Sequence, residues 1–317
     1  MSELGDNWER KVLEKLAMSA IQEQRRTRRW GIFFKLLTFA YLFFLFVMVM
    51  DLAGDNSDGL AGGKHTALIE VRGVIAADSM ANADNLIASL QDAYQDKLTA
   101  GIILRVNSPG GSPVQAGLVN DEIRRLRALH PEIPLHVVVE DMCASGGYFI
   151  AAAADNIYVN KASIVGSIGV LMDGFGFTGT MQKLGVERRL MTAGENKGFM
   201  DPFSPRDPKH EAFTKGLLED IHQQFIAVVR DGRGKRLKET PEMFSGLFWT
   251  GDKAIAMGLA DGLGSVDSVA RDIIKAEKVM DFTARENMMD RLANKLGAGV
   301  ASTFPGFGAQ SEGVTLR

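Results

Sequence analysis

Residues 141–154 read Asp-Met-Cys-Ala-Ser-Gly-Gly-Tyr-Phe-Ile-Ala-Ala-Ala-Ala, and the fold turns on how this stretch is taken. The run before it, Leu135 to Glu140, is β-branched and apolar and predicts a buried strand. The four alanines at its end favour helix, closed by Asp155-Asn156. Ser145 therefore stands at a strand-to-helix turn, at the mouth of a helix whose exposed amides favour negative charge. Gly146 and Gly147 carry no Cβ and let another backbone approach. A nucleophilic serine suits that place, and so does a plain N-cap serine on a packed helix.

Outward from this segment, strand and helix alternate. Thr66–Val71, Gly73–Ile75, Gly101–Val106, Leu135–Glu140, Asn156–Val159 and Val186–Thr192 read as strands. Asn82–Gln95, Val114–Leu129 and Asp207–Val229 read as helices, with shorter ones at Gly251–Met257 and Ser265–Ala276. Ser163–Leu171 and Phe175–Leu184 follow in the series between Asn156–Val159 and Val186–Thr192. This is βα repetition, hence an α/β domain with a mainly parallel sheet. Asn107–Gly111 ends a buried strand with Pro-Gly-Gly, a plain turn or a pair of backbone N–H groups free to hold an oxygen. In a parallel sheet that turn and Ser145 fall at one edge, where sites form.

A serine nucleophile needs a base. None of His65, His130, His136, His210 and His222 falls in a turn at the expected site edge, which gives a Ser-His-Asp triad little support. A lysine is the other choice, and Lys197 stands in a loop after the Val186–Thr192 segment. It acts as a base only when neutral, which requires removal from water. The competing reading is a solvated loop lysine. The single cysteine, Cys143, excludes an internal disulfide and a cysteine-based zinc site, and reads more readily as a small buried hydrophobe than as a nucleophile.

At the N-terminus a polar, helix-forming segment ends in Arg25-Arg26 and Arg28-Arg29. Trp30 to Leu52 follows as a nearly unbroken apolar run. About 20 such residues span a bilayer core of about 30 Å. The basic flank precedes the run, and Asp51, Asp55 and Asp58 end and follow it, so the N-terminus is expected in the cytoplasm and the rest outside. The long charged lead favours an uncleaved signal anchor over a cleaved signal peptide. A net charge of −3 over 317 residues points to no nucleic-acid partner.

Five motifs occur together and in order: Ser-Pro-Gly-Gly (108–111), Ala-Ser-Gly-Gly-Tyr (144–148), Gly-Ser-Ile-Gly-Val (166–170), Ala-Gly-Glu-Asn-Lys-Gly (193–198) and Thr-Gly-Asp-Lys-Ala with Gly-Leu-Ala-Asp (250–261). Over about residues 65–280 the chain resembles bacterial signal peptide peptidase A, in its short, single-repeat, membrane-anchored form. The resemblance implies a crotonase/Clp-protease-like fold of repeated ββα units after one transmembrane helix. It implies Ser145 as nucleophile, Lys197 as general base, Ser167 as the group that positions the lysine, and Gly111 and Gly146 as the oxyanion hole. No cofactor or metal is implied. The organisation expected is a cytoplasmic segment (1–29), a signal anchor (30–52), a flexible tether (53–64), the catalytic domain (65–280) and a partly disordered tail (281–317). The activity implied is serine endopeptidase action on signal-peptide remnants and other membrane-derived peptides, in a homo-oligomeric ring at the bacterial inner membrane with the catalytic domain periplasmic. Serine and lysine of one site can come from neighbouring subunits. A non-catalytic membrane scaffold of the same fold is the alternative, which retention of both Ser145 and Lys197 disfavours. An acyl-CoA enzyme is disfavoured by the expected extracytoplasmic address.

Overall fold

The computed structural model describes residues 3–54 and 63–284. Most of the expected tether and of the expected partly disordered tail lie outside the described residues. The chain divides into two units, the first ending at Gly62 and the second beginning at Gly63.

The described residues of the first unit form one continuous helix, α1 (Glu3–Gly54). Its segment Glu23–Val47 has a mean hydropathy of 2.0, and none of that apolar window is buried within the described chain. Among the described residues it is the one helix long and apolar enough to cross a membrane, by length and composition. Trp30 meets the Phe33 and Phe34 rings at 5.8 Å beside the arginine cluster. Such aromatics suit the boundary between headgroups and acyl chains.

The second unit is built on a sheet whose central strands are β1 (His65–Arg72), β2 (Thr99–Ser108) and β3 (Leu135–Ala144). They pair in parallel, joined by helices α2 (Ala83–Gln95) and α3 (Pro113–Leu129). Each helix is started by its cap. The Asn82 side chain accepts from the N–H of Asn85, and the Ser112 hydroxyl accepts from that of Gln115, with Pro113 next to Ser112. Side chains alternate across the strands. Ala67, Ile69, Ile102, Leu104, Val137 and Val139 face the main core with the helices. Leu68, Ile103 and Val138 face the other way. There they meet Val269 and Ala270, in the π-helical turn Val269–Ile274 that continues α8 (Val266–Ser268). Strands covered on both faces are apolar throughout, which is why they read so clearly as strands.

Beyond β3 come α4 (Gly146–Ala151), β4 (Asn156–Val159) and β5 (Ile164–Gly166). The first half of β3 pairs with β4 and its last three residues with β5, so the sheet forks there. An excursion with the short helix α5 (Thr178–Lys183) leads to the long helix α6 (Pro208–Arg233). Then follow β6 (Phe248–Thr250), α7 (Gly251–Ala256), β7 (Gly262–Leu263) and β8 (Val279–Asp281). The strand order is β6-β5-β3-β2-β1-β8, with β4 and β7 on the second branch. Among the described strands, only β5 and β6 pair antiparallel. The α/β, βα-repeating architecture is the one expected.

Three local expectations differ. Val186–Thr192 is not a strand but exposed irregular chain. A strand needs a pairing partner, and none of the described strands offers this segment one. Gly73–Ile75 contributes a single bridge, Ile75 to Gly111, rather than a strand. The helix after Ser145 ends at Ala151 instead of running through all four alanines.

Candidate active site

The site grows from the carboxyl ends of β2 and β3. Ser108 at the end of β2 lies opposite Cys143 of β3 and is fully buried. Its hydroxyl donates to the Gly73 carbonyl (2.6 Å) and accepts from the N–H of Gly110 (3.1 Å), which ties down the Pro-Gly-Gly turn. The turn then bridges to Ile75, whose N–H donates to the Gly110 carbonyl and whose carbonyl accepts from Ser112. In a parallel bridge of this register, Gly111 keeps its own N–H on the side away from Ile75. That amide lies 3.3 Å from where a Cβ on Gly146 would stand. The two glycine amides are therefore neighbours.

Gly110 has φ +97°, and a Cβ on it would lie 2.6 Å from both the Ser145 Cβ and the Gly146 nitrogen. Only glycine lets the turn approach the serine this closely.

Ser145 occupies the N-cap position of α4, yet its side chain makes no capping hydrogen bond. Its backbone is left-handed at φ +50°, a costly conformation for a residue with a Cβ. The ordinary N-cap reading of this serine is thereby excluded. The strain is held by backbone bonds on both sides. The Ser145 N–H donates to the Gly166 carbonyl (2.9 Å), and its carbonyl accepts from Phe149 (3.0 Å). Because α4 has six residues, its dipole is weak.

Ser145 opens into a cavity of about 260 Å³. Gly110, Gly111 and Ser167 share its wall, with Val74, Val170 and Leu171 as the apolar lining and Ser245 and Gly246 opposite. Ser167 also has a left-handed backbone, φ +52°. Its N–H donates to Leu247 (2.7 Å), and Gly246 donates back to the Ile168 carbonyl (3.1 Å). Gly166 just before it leaves no room for a side chain, because Trp249 packs 2.9 Å from its would-be Cβ.

The structure thus brings Ser145, Ser167, Gly111 and Gly146 together. It does not bring Lys197 to them in the same chain. Lys197 is exposed, in a turn closed by its own N–H to the Gly194 carbonyl, and is not part of the cavity wall. Glu195 is exposed as well. None of the five histidines lines the cavity. Burial pushes the Cys143 thiol far above its ordinary pKa, so it holds no reactive thiolate. Val74, Ser245 and Gly246 were not legible in the sequence. Their segments carry no sign of a site, and they reach it through tertiary pairing.

Comparison with known proteins bears on this arrangement. Residues 127–280 match the family model described as peptidase family S49. A protein of Enterococcus faecium named as a signal peptide peptidase SppA is 28% identical over 238 residues, covering 73% of this chain and 69% of that protein. The chain is thus similar to the signal peptide peptidase A family, as its motifs suggest. A protein of Brucella melitensis named as the Na(+)/H(+) antiporter NhaA is 47% identical to this chain over 182 residues, 57% of its length. The chain spans a quarter of that protein's length. The solved structure of a mutant of the 1510-N membrane-bound stomatin-specific protease overlays on 71% of this chain and all of its own, at a TM-score of 0.42 and 13% identity.

Proposed function

We propose that this protein is a membrane-anchored serine endopeptidase with a Ser-Lys dyad. The observation that carries the reading is Ser145, which sits in a left-handed turn with no capping bond, beside the paired amides of Gly111 and Gly146. The hydroxyl attacks a peptide carbonyl while its proton passes to the neutral amine of Lys197. The oxyanion that develops accepts from the Gly111 and Gly146 amides. The lysine then returns the proton to the leaving amine, and water hydrolyses the resulting ester.

Since Lys197 of the same chain is not in the cavity, the dyad is completed by Lys197 of a neighbouring copy in a homo-oligomer. The excursion from Leu171 to Leu217 supports this assembly. Phe175 is 83% and Met191 93% exposed there, with Leu184 and Phe213 more than half exposed. Apolar side chains displayed over one arm need a partner surface, and a second copy of the chain is the partner that also supplies the lysine. Ser167, already in the cavity wall, would orient the incoming amine. Val74, Val170 and Leu171 suit apolar substrate side chains. Tethering by α1 places such a site near membrane-derived peptides, including signal-peptide remnants, on the extracytoplasmic side of the inner membrane.

Labelling of the detergent-solubilised full chain with a serine-reactive fluorophosphonate tests the reading. Wild type is expected to label and to cleave an apolar quenched-fluorescent peptide. Ser145→Ala should do neither, and Lys197→Arg should lose turnover because a guanidinium stays protonated. Undiminished cleavage by Ser145→Ala would refute it.

A further inference from the structure

Two loops flanking the proposed dyad residues are held by one helix. At one end of α6, the His210 Nε2 lies 3.3 Å from the Asn196 Oδ1, and the Phe199 ring packs on the imidazole at 4.9 Å. Phe199 also meets Phe213 of α6 edge-on at 5.7 Å. Lys197 stands between Asn196 and Phe199, so the turn that carries it is clamped on both sides. Further along α6, the His222 Nε2 lies 3.3 Å from the Ile168 carbonyl. Ile168 is fully buried and sits between Ser167 and Gly169, both in the cavity wall.

The two histidines play the same chemical part. Both acceptors lack a proton, so each imidazole must carry its proton on Nε2. Both rings are half-buried rather than solvated. They stand twelve positions apart on α6, about 18 Å along a helix of 1.5 Å rise per residue. A helix of this length is stiff, so it fixes the distance between the lysine turn and the serine pocket within one chain.

We infer that α6 positions the two segments that handle the lysine amine, with His210 holding the Lys197 turn that supplies it to a neighbouring copy and His222 holding the Ser167 loop that receives the neighbour's. The inference rests on the dyad reading above. His210 and His222 are positioning residues. They touch neither the nucleophile nor the cavity, and they act through Asn196 and the Ile168 carbonyl. A carboxylate also faces His210 from its own helix cap, that of Asp207 at 4.0 Å.

The test uses the detergent-solubilised full chain and the quenched-fluorescent peptide, with kcat and KM separated. His210→Leu and Asn196→Ala are each expected to lower kcat about tenfold, the size of one lost hydrogen bond, with KM unchanged. The double variant should fall no further, because the two changes remove one bond. His222→Leu is expected to lose kcat like His210→Leu, and His210→Gln and His222→Gln, which keep a side-chain N–H donor, should recover most of the rate lost in these two leucine variants. Asn196→Ala lies in an exposed turn and leaves α6 intact, so it reports even if a histidine variant misfolds. Wild-type kcat in His210→Leu and Asn196→Ala would overturn the inference. So would glutamine variants as impaired as the leucine ones. Ser145→Ala and Lys197→Ala are run alongside. If those retain turnover, the dyad reading fails. If they are inactive while the α6 variants are wild type, only the positioning role fails.

Discussion

Two non-glycine residues with left-handed backbones, Ser145 and Ser167, face the same cavity, and this concentration of strain separates a site from a packed turn. The strain is sustained because glycines next to it allow close approach. Gly110 is the most sensitive of them, since its would-be Cβ meets the Ser145 Cβ and the Gly146 amide at 2.6 Å. Gly110→Ala should displace both the Ser145 side chain and the Gly146 amide by up to about 1 Å. A shift of that size is expected to cost on the order of 10²-fold in kcat. Peptide turnover with active sites counted by fluorophosphonate labelling checks this, and a rate within threefold of wild type would refute it. The serine and its glycines were legible in the sequence only as motifs that occur together and in order, because a plain N-cap serine or a plain turn explains each of them taken alone. The rest of the wall was not, because Val74 and Gly246 acquire meaning only when distant segments pair.

At the level of elements, the final motif, Gly258 to Asp261, turns out to hold the domain together. Gly258 is left-handed and packs against the Arg236 carbonyl, with no room for a Cβ. The Leu259 carbonyl accepts from the fully buried Tyr148 hydroxyl of α4 at 2.7 Å. Asp261 takes two hydrogen bonds from Arg233, which is 1% exposed, and one from the N–H of Ile157. The motif therefore joins α6, α4 and β4 behind the serine. Burial alone would raise the Asp261 carboxyl, but the hydrogen bonds and charge of Arg233 outweigh it and hold it below the usual carboxylate range. Asp261→Asn leaves a buried guanidinium without its counter-charge, which costs about 3 kcal/mol. A fall of about 10 °C in the melting temperature is expected, and an unchanged melt would contradict the role given to the pair.

His136, on β3, is 4% exposed, and its Nδ1 has no hydrogen-bond partner. Burial is the main cause that holds its pKa below the ordinary 6.5, with Asp155 opposing and Arg127 assisting. The unfolded chain then takes up this proton at a higher pH than the folded one. Stability conferred by the neutral ring is present above 6.5 and declines as pH falls from there through the lowered folded value. Melting temperature should drop over that window, and His136→Phe should flatten the drop. Helices α2 and α3 were legible from period and caps alone, whereas 186–192 has strand composition without a strand. Sequence reports what a segment could pair with, and the pairing itself is tertiary.

For the molecule as a whole, the separation of Lys197 from Ser145 within one chain carries the largest consequence. If each site draws its serine from one copy and its lysine from the next, two inactive variants can repair each other. Ser145→Ala protomers keep an intact Lys197, and Lys197→Ala protomers keep an intact Ser145. In a mixed oligomer, every junction with the right order pairs an intact serine with an intact lysine. With random mixing at equal proportions, about a quarter of junctions have that order, so activity near a quarter of wild type is expected. If the dyad forms within a chain, every mixed site lacks one partner and the mixture stays inactive. Co-expression of the two variants with different affinity tags, followed by tandem purification, yields verified mixed oligomers for the assay. Fluorophosphonate should label only the Lys197→Ala protomers in them. Mixed oligomers without turnover would rule out shared sites and leave the serine's own assignment to the labelling experiment.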